Sequence, residues 1–205
     1  SYAPTGQRCE RYELDGVLPP GVELEVTGQR WDVLAAPGHD PDAVMLFRSA
    51  DGVLIAGDAL WENGFGVVFP ELDGIDAFDE VAQTLALIER LPVRWVIPGH
   101  GAPFGDIPAA LARARTRLAG HQADPRKHAR HAAKVLLKYH LMEEREQPWD
   151  EVLAWAASTP LLASCQARAG VAGPLLDFAT QLLEDLVAAG ALGRNGAENA
   201  ILRDA

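Results

Sequence analysis

Cysteine is nearly absent: the 205 residues contain two, Cys9 and Cys165, with no C-x-x-C spacing. A disulfide framework and a zinc knuckle are thereby excluded, and both residues are expected as free thiols. No apolar run approaches the roughly 18 residues that a membrane span requires. The first residues also lack a basic segment followed by an apolar one, so no secretory leader is read. The expectation is a cytoplasmic protein with no membrane partner. Low-complexity tracts and internal repeats are missing too. Positive charge is scarce, 18 Lys and Arg against 29 Asp and Glu for a net charge of −11, which argues against wholesale nucleic-acid binding. The scarcity is uneven, because Arg113, Arg115, Arg117, Arg126, Lys127, Arg130, Lys134 and Lys138 crowd one stretch that holds only Asp106 and Asp124 as acids.

What is present suits a globular α/β chain, at 48% hydrophobic and 23% charged residues, with one large or two small domains. Pro19-Pro20-Gly21 followed by the alternating 22–26 predicts a loop into an edge strand, and 31–36 predicts a strand ended by Pro37-Gly38. Segments 43–47 and 53–56 flank Asp51-Gly52, a strong hairpin signal, since glycine readily takes the positive φ of a tight turn. Over 76–90, Phe78, Val81, Leu85 and Ile88 share one helical stripe with Asp76 as candidate N-cap. Segment 95–97 is read as a short buried strand before Pro98-Gly99. Beyond residue 107 the pattern turns helical, near 107–120, 126–146, 149–158 and 172–189, with Gly190 as the last stop and Arg194-Asn195-Gly196 as the turn of a small hairpin. Helices followed by a hairpin give a winged-helix-like order.

Three polar residues lie where a predicted strand runs into a glycine-marked loop: His39 in Pro37-Gly38-His39, Asp58 in Gly57-Asp58 and His100 in Pro98-Gly99-His100-Gly101. Imidazole nitrogen and carboxylate oxygen are the donors that zinc takes at about 2.0–2.2 Å. Each signal alone is weak, because a loop histidine is more often a surface residue and Asp is favoured in turns for local reasons.

Taken together, their order and spacing, 19 residues from His39 to Asp58 and 42 from Asp58 to His100, resemble the third, fourth and fifth metal-binding motifs of the metallo-β-lactamase superfamily. The resemblance covers about 20–120. It implies an α/β fold: the C-terminal part of an αββα metallo-β-lactamase sandwich over 1–120, followed by a small helical, winged-helix-like domain over 121–205, as in the β-lactamase-like protein 2 subgroup. It further implies two zinc ions in the complete site, with iron or manganese as alternatives, and metal weakly held or absent in this chain alone. His39 would serve the first, catalytic Asp58 would bridge both, and His100 would serve the second, with Asp40 a candidate to orient an imidazole. The implied activity is metal-dependent hydrolysis of an ester, thioester, lactone or phosphodiester, on a small-molecule or RNA substrate. The family's H-x-H-x-D-H motif is not found, and no histidine precedes His39. The abrupt start therefore favours a chain without its N-terminal half, inactive alone. Its sheet would be covered by that half or by a second copy, since Val44, Leu46, Val53 and Ile55 would otherwise be wet.

The remaining features are given the plainer reading. His121, His128, His131 and His140 with the neighbouring Arg and Lys are read as solvated helix surface. Trp31, Trp61, Trp95, Trp149 and Trp155 are read as packing anchors, Trp61 also as a candidate cleft wall. The alternative function is a nucleic-acid- or partner-binding module with a vestigial metal site, which needs the basic stretch to form one continuous patch.

Overall fold

The computed structural model describes residues 3–6, 13–196 and 200–204; Cys9, expected as a free thiol, lies outside them. The chain divides into two compact units. One is 13–123, and the other joins residues 3–6 to 124–205.

In the first unit, strands β1 (Glu23–Val26), β2 (Gln29–Ala35), β3 (Val44–Arg48), β4 (Val53–Gly57) and β5 (Trp95–Pro98) form one sheet in that order. The first four are antiparallel neighbours, and β5 joins β4 in parallel. The Asp-Gly turn closes as the sequence predicts, with Gly52 N donating to Arg48 O at 3.0 Å. Across it the Arg48 guanidinium grips the Asp51 carboxylate at 2.6 and 2.8 Å. Alternation along β3 and β4 sends Met45, Phe47, Leu54 and Ala56 to one buried face, joined by Val96. The short helix α1 (Phe69–Leu72), the long helix α2 (Phe78–Arg90) and the helix α3 (Ile107–Ala123) follow in chain order. The α2 stripe of Phe78, Val81, Leu85 and Ile88 meets Ile107, Ala110, Leu111, Ala114 and Leu118 of α3 in the same core. Each such large side chain contributes roughly 1.5–3 kcal/mol by leaving water.

Two local expectations need correction. Asp76 does not cap α2; the cap position is Ala77, and the free N–H groups of Ala77 and Phe78 donate to Glu71 Oε1 at 2.7 and 3.0 Å. The carboxylate of α1 satisfies the orphan donors that every helix start presents. Nor is β5 buried on both faces, since Val96 is inside while Trp95 and Ile97 are 54% and 40% exposed. The face of β3 and β4 turned away from the helices carries Val44, Leu46, Val53 and Ile55, all half-buried.

The second unit holds α4 (Pro125–Glu144), β6 (Glu146–Pro148), α5 (Trp149–Ser158), α6 (Pro160–Arg168), α7 (Leu175–Ala188), β7 (Leu192–Asn195) and β8 (Ile201–Asp204). Its antiparallel sheet runs β6-β8-β7, so the two tail strands pair as expected, but Arg194 and Asn195 lie in β7 and not in the turn, and residues 197–199 lie outside the described residues. Helix α6 had no counterpart in the sequence reading. The histidines of α4 are not uniformly solvated: His128 and His140 are buried. His140 Nε2 lies 2.7 Å from Gln147 Oε1, and its ring stacks on Trp155 at 3.9 Å. None of the five tryptophans is buried; two sit under guanidinium groups, Trp31 under Arg48 and Trp149 under Arg194, each at 4.6 Å. Cys165 is a buried free thiol, pushed up to about 12 by burial, which makes it a poor nucleophile. Among the described residues no helix is long and apolar enough to cross a membrane.

Candidate metal centre

The three loops that carry His39, Asp58 and His100 leave one edge of the first unit's sheet. The loop after β2 is anchored by α2, whose Thr84 Oγ1 donates to Pro37 O at 2.9 Å. At the end of β4 the pairing with β5 slips between Ile55 and Gly57. Such a bulge re-aims the side chain that follows it, here Asp58. Gly99 N then donates to Gly57 O at 2.7 Å, drawing the loop after β5 against the loop after β4.

Asp58 stands between the two imidazoles. Its Oδ2 is 3.3 Å from His39 Nε2, and its Oδ1 is 3.9 Å from His100 Nε2. His39 Nδ1 lies 2.6 Å from the carbonyl oxygen of Val67. A carbonyl only accepts, so Nδ1 carries a hydrogen and donates it to Val67 O, and Nε2 is the ring atom turned toward the carboxylate. A ring nitrogen donating to a backbone carbonyl while its partner faces an anion is the arrangement of a metal-ligating histidine. The spacing agrees, because adjacent ligands held at about 2.0–2.2 Å on a tetrahedral cation stand about 3.3–3.6 Å apart. His39 and Asp58 therefore fit two neighbouring ligand positions. His100, whose side chain is 48% exposed, stands further out. Among the described residues, no group of three or more His, Cys, Asp and Glu side chains closes into a metal-holding cluster.

Close packing holds the pair. A Cβ on Gly66 would fall 2.6 Å from His39 Nδ1 and 2.9 Å from Asp58 Cβ, and one on Gly99 would fall 2.5 Å from Asp58 Oδ1. Only glycine lets both backbones approach this near. The segment 61–67 forms the wall: Trp61 Nε1 donates to Asp58 Oδ1 at 2.9 Å, Gly66 N donates to Asp58 O at 2.8 Å, and Val67 O orients His39. Behind it, α3 supplies Arg113 Nε to Glu62 O at 2.7 Å and Arg117 Nη1 to Phe65 O at 3.3 Å. Asp40, the expected partner of the imidazole, instead accepts from Asp42 N at 2.8 Å as a local turn. Sequence reasoning missed Val67, Gly66, Arg113 and Arg117; the one visible signal was the paired glycines of Gly64-Phe65-Gly66.

Residues 6–100 match the family model described as the metallo-beta-lactamase superfamily. Over 90 residues, 40% of this chain and 28% of the relative, the sequence is 29% identical to a probable metallo-hydrolase, YqjP, of Bacillus subtilis strain 168. Over 79 residues, 38% of this chain and 28% of the relative, it is 33% identical to a hydroxyacylglutathione hydrolase of Idiomarina loihiensis. The matches thus span little more than a quarter of either relative's length. A beta-lactamase domain protein from Burkholderia ambifaria superposes with a TM-score of 0.50 at 23% identity, covering 95% of this chain and 53% of that one, a likeness of fold.

Proposed function

We propose, from the premise that residues 6–100 are a metallo-beta-lactamase superfamily segment, that this chain forms part of a metal-dependent hydrolase in which His39, Asp58 and His100 hold the metal. The observation that carries the reading is the close approach of two potential ligand atoms, His39 Nε2 and Asp58 Oδ2 at 3.3 Å, with the far ring nitrogen tied to Val67 O. A cation between them satisfies both. Nitrogen and oxygen donors without thiolate suit zinc, iron or manganese, and zinc is the metal proposed. When bound, such a cation supplies Lewis acidity, making water nucleophilic near neutral pH and polarising the bond under attack. Asp58 Oδ2 faces His39, while Oδ1 accepts from Trp61 Nε1 and lies 3.9 Å from His100 Nε2. Asp58 would be the ligand shared by both histidines' ions, and the remaining donors of a dinuclear site are not among these three. The winged-helix-like reading of the second unit and a cytoplasmic setting belong to the same proposal.

The substrate classes are ester, thioester, lactone and phosphodiester, with hydroxyacylglutathione first to be tried because one relative is named for hydrolysing it. The test is a hydrolysis panel over these classes on the zinc-loaded complete hydrolase of which this chain forms part, and on His39→Ala and Asp58→Ala made in it. Turnover lost in both variants and on chelation supports the reading; turnover that survives both overturns it.

A nucleic-acid-binding module is the weaker reading. In the first unit Arg115 is bound to Glu89 at 2.7 and 2.8 Å, and Arg113 and Arg117 face backbone carbonyls. In the second, Arg130 and Lys134 both reach Asp185 at 2.9 Å and Lys138 reaches Asp204 at 2.8 Å. Cations engaged by their own unit are poorly placed to neutralise phosphates.

A further inference from the structure

Trp61 touches two of the three candidate ligands and has no place in the sequence motif that points to them. Its indole Nε1 donates to Asp58 Oδ1 at 2.9 Å, and its ring meets the His100 imidazole edge-on, centroids 5.1 Å apart at 76°. The residue is itself held in a closed turn, with Trp61 N donating to Gly64 O at 2.7 Å and Gly64 N to Trp61 O at 3.4 Å. Arg113 and Arg117 brace that turn and the residue after it from behind.

A tryptophan beside a loop is ordinarily a packing anchor, and packing alone would require only its apolar area. Trp61 is half-buried, with its one polar atom spent on the carboxylate between the two histidines. The terminal torsion of an Asp side chain is a soft, two-fold rotor. Without that N–H, packing against Gly66 and Gly99 would still confine Asp58, but the hydrogen bond that sets the rotation of its carboxylate would be gone. The indole N–H occupies Oδ1 and leaves Oδ2 directed at His39 Nε2, while the ring edge limits the tilt of His100.

We propose that Trp61 is a positioning residue for the metal ligands: its N–H sets the rotation of the Asp58 carboxylate and its ring sets the orientation of His100. This rests on the metal-site reading above. Removing a hydrogen bond that orients a ligand ordinarily lowers metal affinity about 10- to 100-fold, and a loss in that range is expected here without loss of the fold.

The test is a cobalt(II) titration of the full chain, followed by visible absorption, on the wild type, Trp61→Phe and a protein with benzothienylalanine at position 61. The last has the shape of tryptophan but no N–H. Thermal midpoints of the metal-free proteins are measured alongside. The inference predicts cobalt affinity lowered about tenfold or more in both variants, with a shifted ligand-field band and an unchanged midpoint for the benzothienylalanine protein. Should Trp61→Phe fail to fold, the isosteric protein decides. Equal affinity and an identical band in the isosteric protein would overturn the role of Trp61 and leave the metal site standing. Absence of cobalt binding in the wild type would overturn the metal-site reading and this inference with it.

Discussion

At Gly99 a single added methyl group has no room, because its carbon would lie 2.5 Å from Asp58 Oδ1 and 3.1 Å from the Gly57 carbonyl carbon. Gly99→Ala is therefore expected to displace the carboxylate, costing about 1–3 kcal/mol in stability as an overpacked site and most of the cation affinity. Calorimetric titration against chemical denaturation checks it, and full affinity with unchanged stability would contradict the packing argument. In the second unit, Asp185 accepts hydrogen bonds from Lys134 and Arg130, which hold its carboxyl down from the ordinary 3.8 to about 2. A depressed folded-state value stabilises the fold above the unfolded value, and that stabilisation disappears as pH falls through the folded value. The stability difference between wild type and Asp185→Asn should be constant at neutral pH and shrink between about pH 4 and pH 2. Denaturation curves across that window that stay parallel would refute the assignment. The strand-end placement of His39, Asp58 and His100 was legible, since Pro-Gly-His and Gly-Asp mark loops at strand ends, and Asp58 lies between the two imidazoles. The orienting group of His39 was not legible: it is the carbonyl of Val67, and a backbone carbonyl has no residue-type signature. Asp40, adjacent in sequence, was the wrong choice because its carboxylate closes its own turn.

Among the elements, the segment 61–67 does the work of a wall, and α3 holds it. Gly64, Phe65, Gly66 and Val67 are buried, and the Arg117 guanidinium lies so near Gly64 that a Cβ there would touch it at 2.6 Å. Burial lowers the affinity of this guanidinium for its proton below the ordinary value, so its place against Phe65 O carries a cost that the hydrogen bond offsets. Arg117→Met would fill part of the volume and leave the carbonyl unpartnered, a loss of about 1–3 kcal/mol. Urea denaturation of the variant measures this, and a midpoint equal to the wild type's would show that Arg117 does not brace the wall. Helix α2 was legible because its stripe repeats at helical spacing and all four members are buried. Its start was misread because the cap comes from Glu71, on α1 and outside the local window. Helix α6 escaped because Pro160 stands in its first turn, where proline is tolerated but reads from sequence as a break.

For the chain as a whole, the apolar sheet face that carries Leu46, Ile55, Trp95 and Ile97 motivates the proposal that a second sheet or a second copy covers it. Roughly 25 cal/mol for each Å² of apolar surface favours such a cover. Light scattering with a hydrophobic dye tests it: self-association or dye binding is expected, and a dye-free monomer would contradict it. The central claim is that the strand-end loops of the first unit converge on a cation held by His39, Asp58 and His100. Anomalous X-ray scattering at the zinc edge, on crystals grown with zinc, tests it most directly. The account predicts an anomalous peak within about 2.0–2.2 Å of both His39 Nε2 and Asp58 Oδ2. Zinc bound only elsewhere on the chain, with no peak between these two atoms, would contradict it.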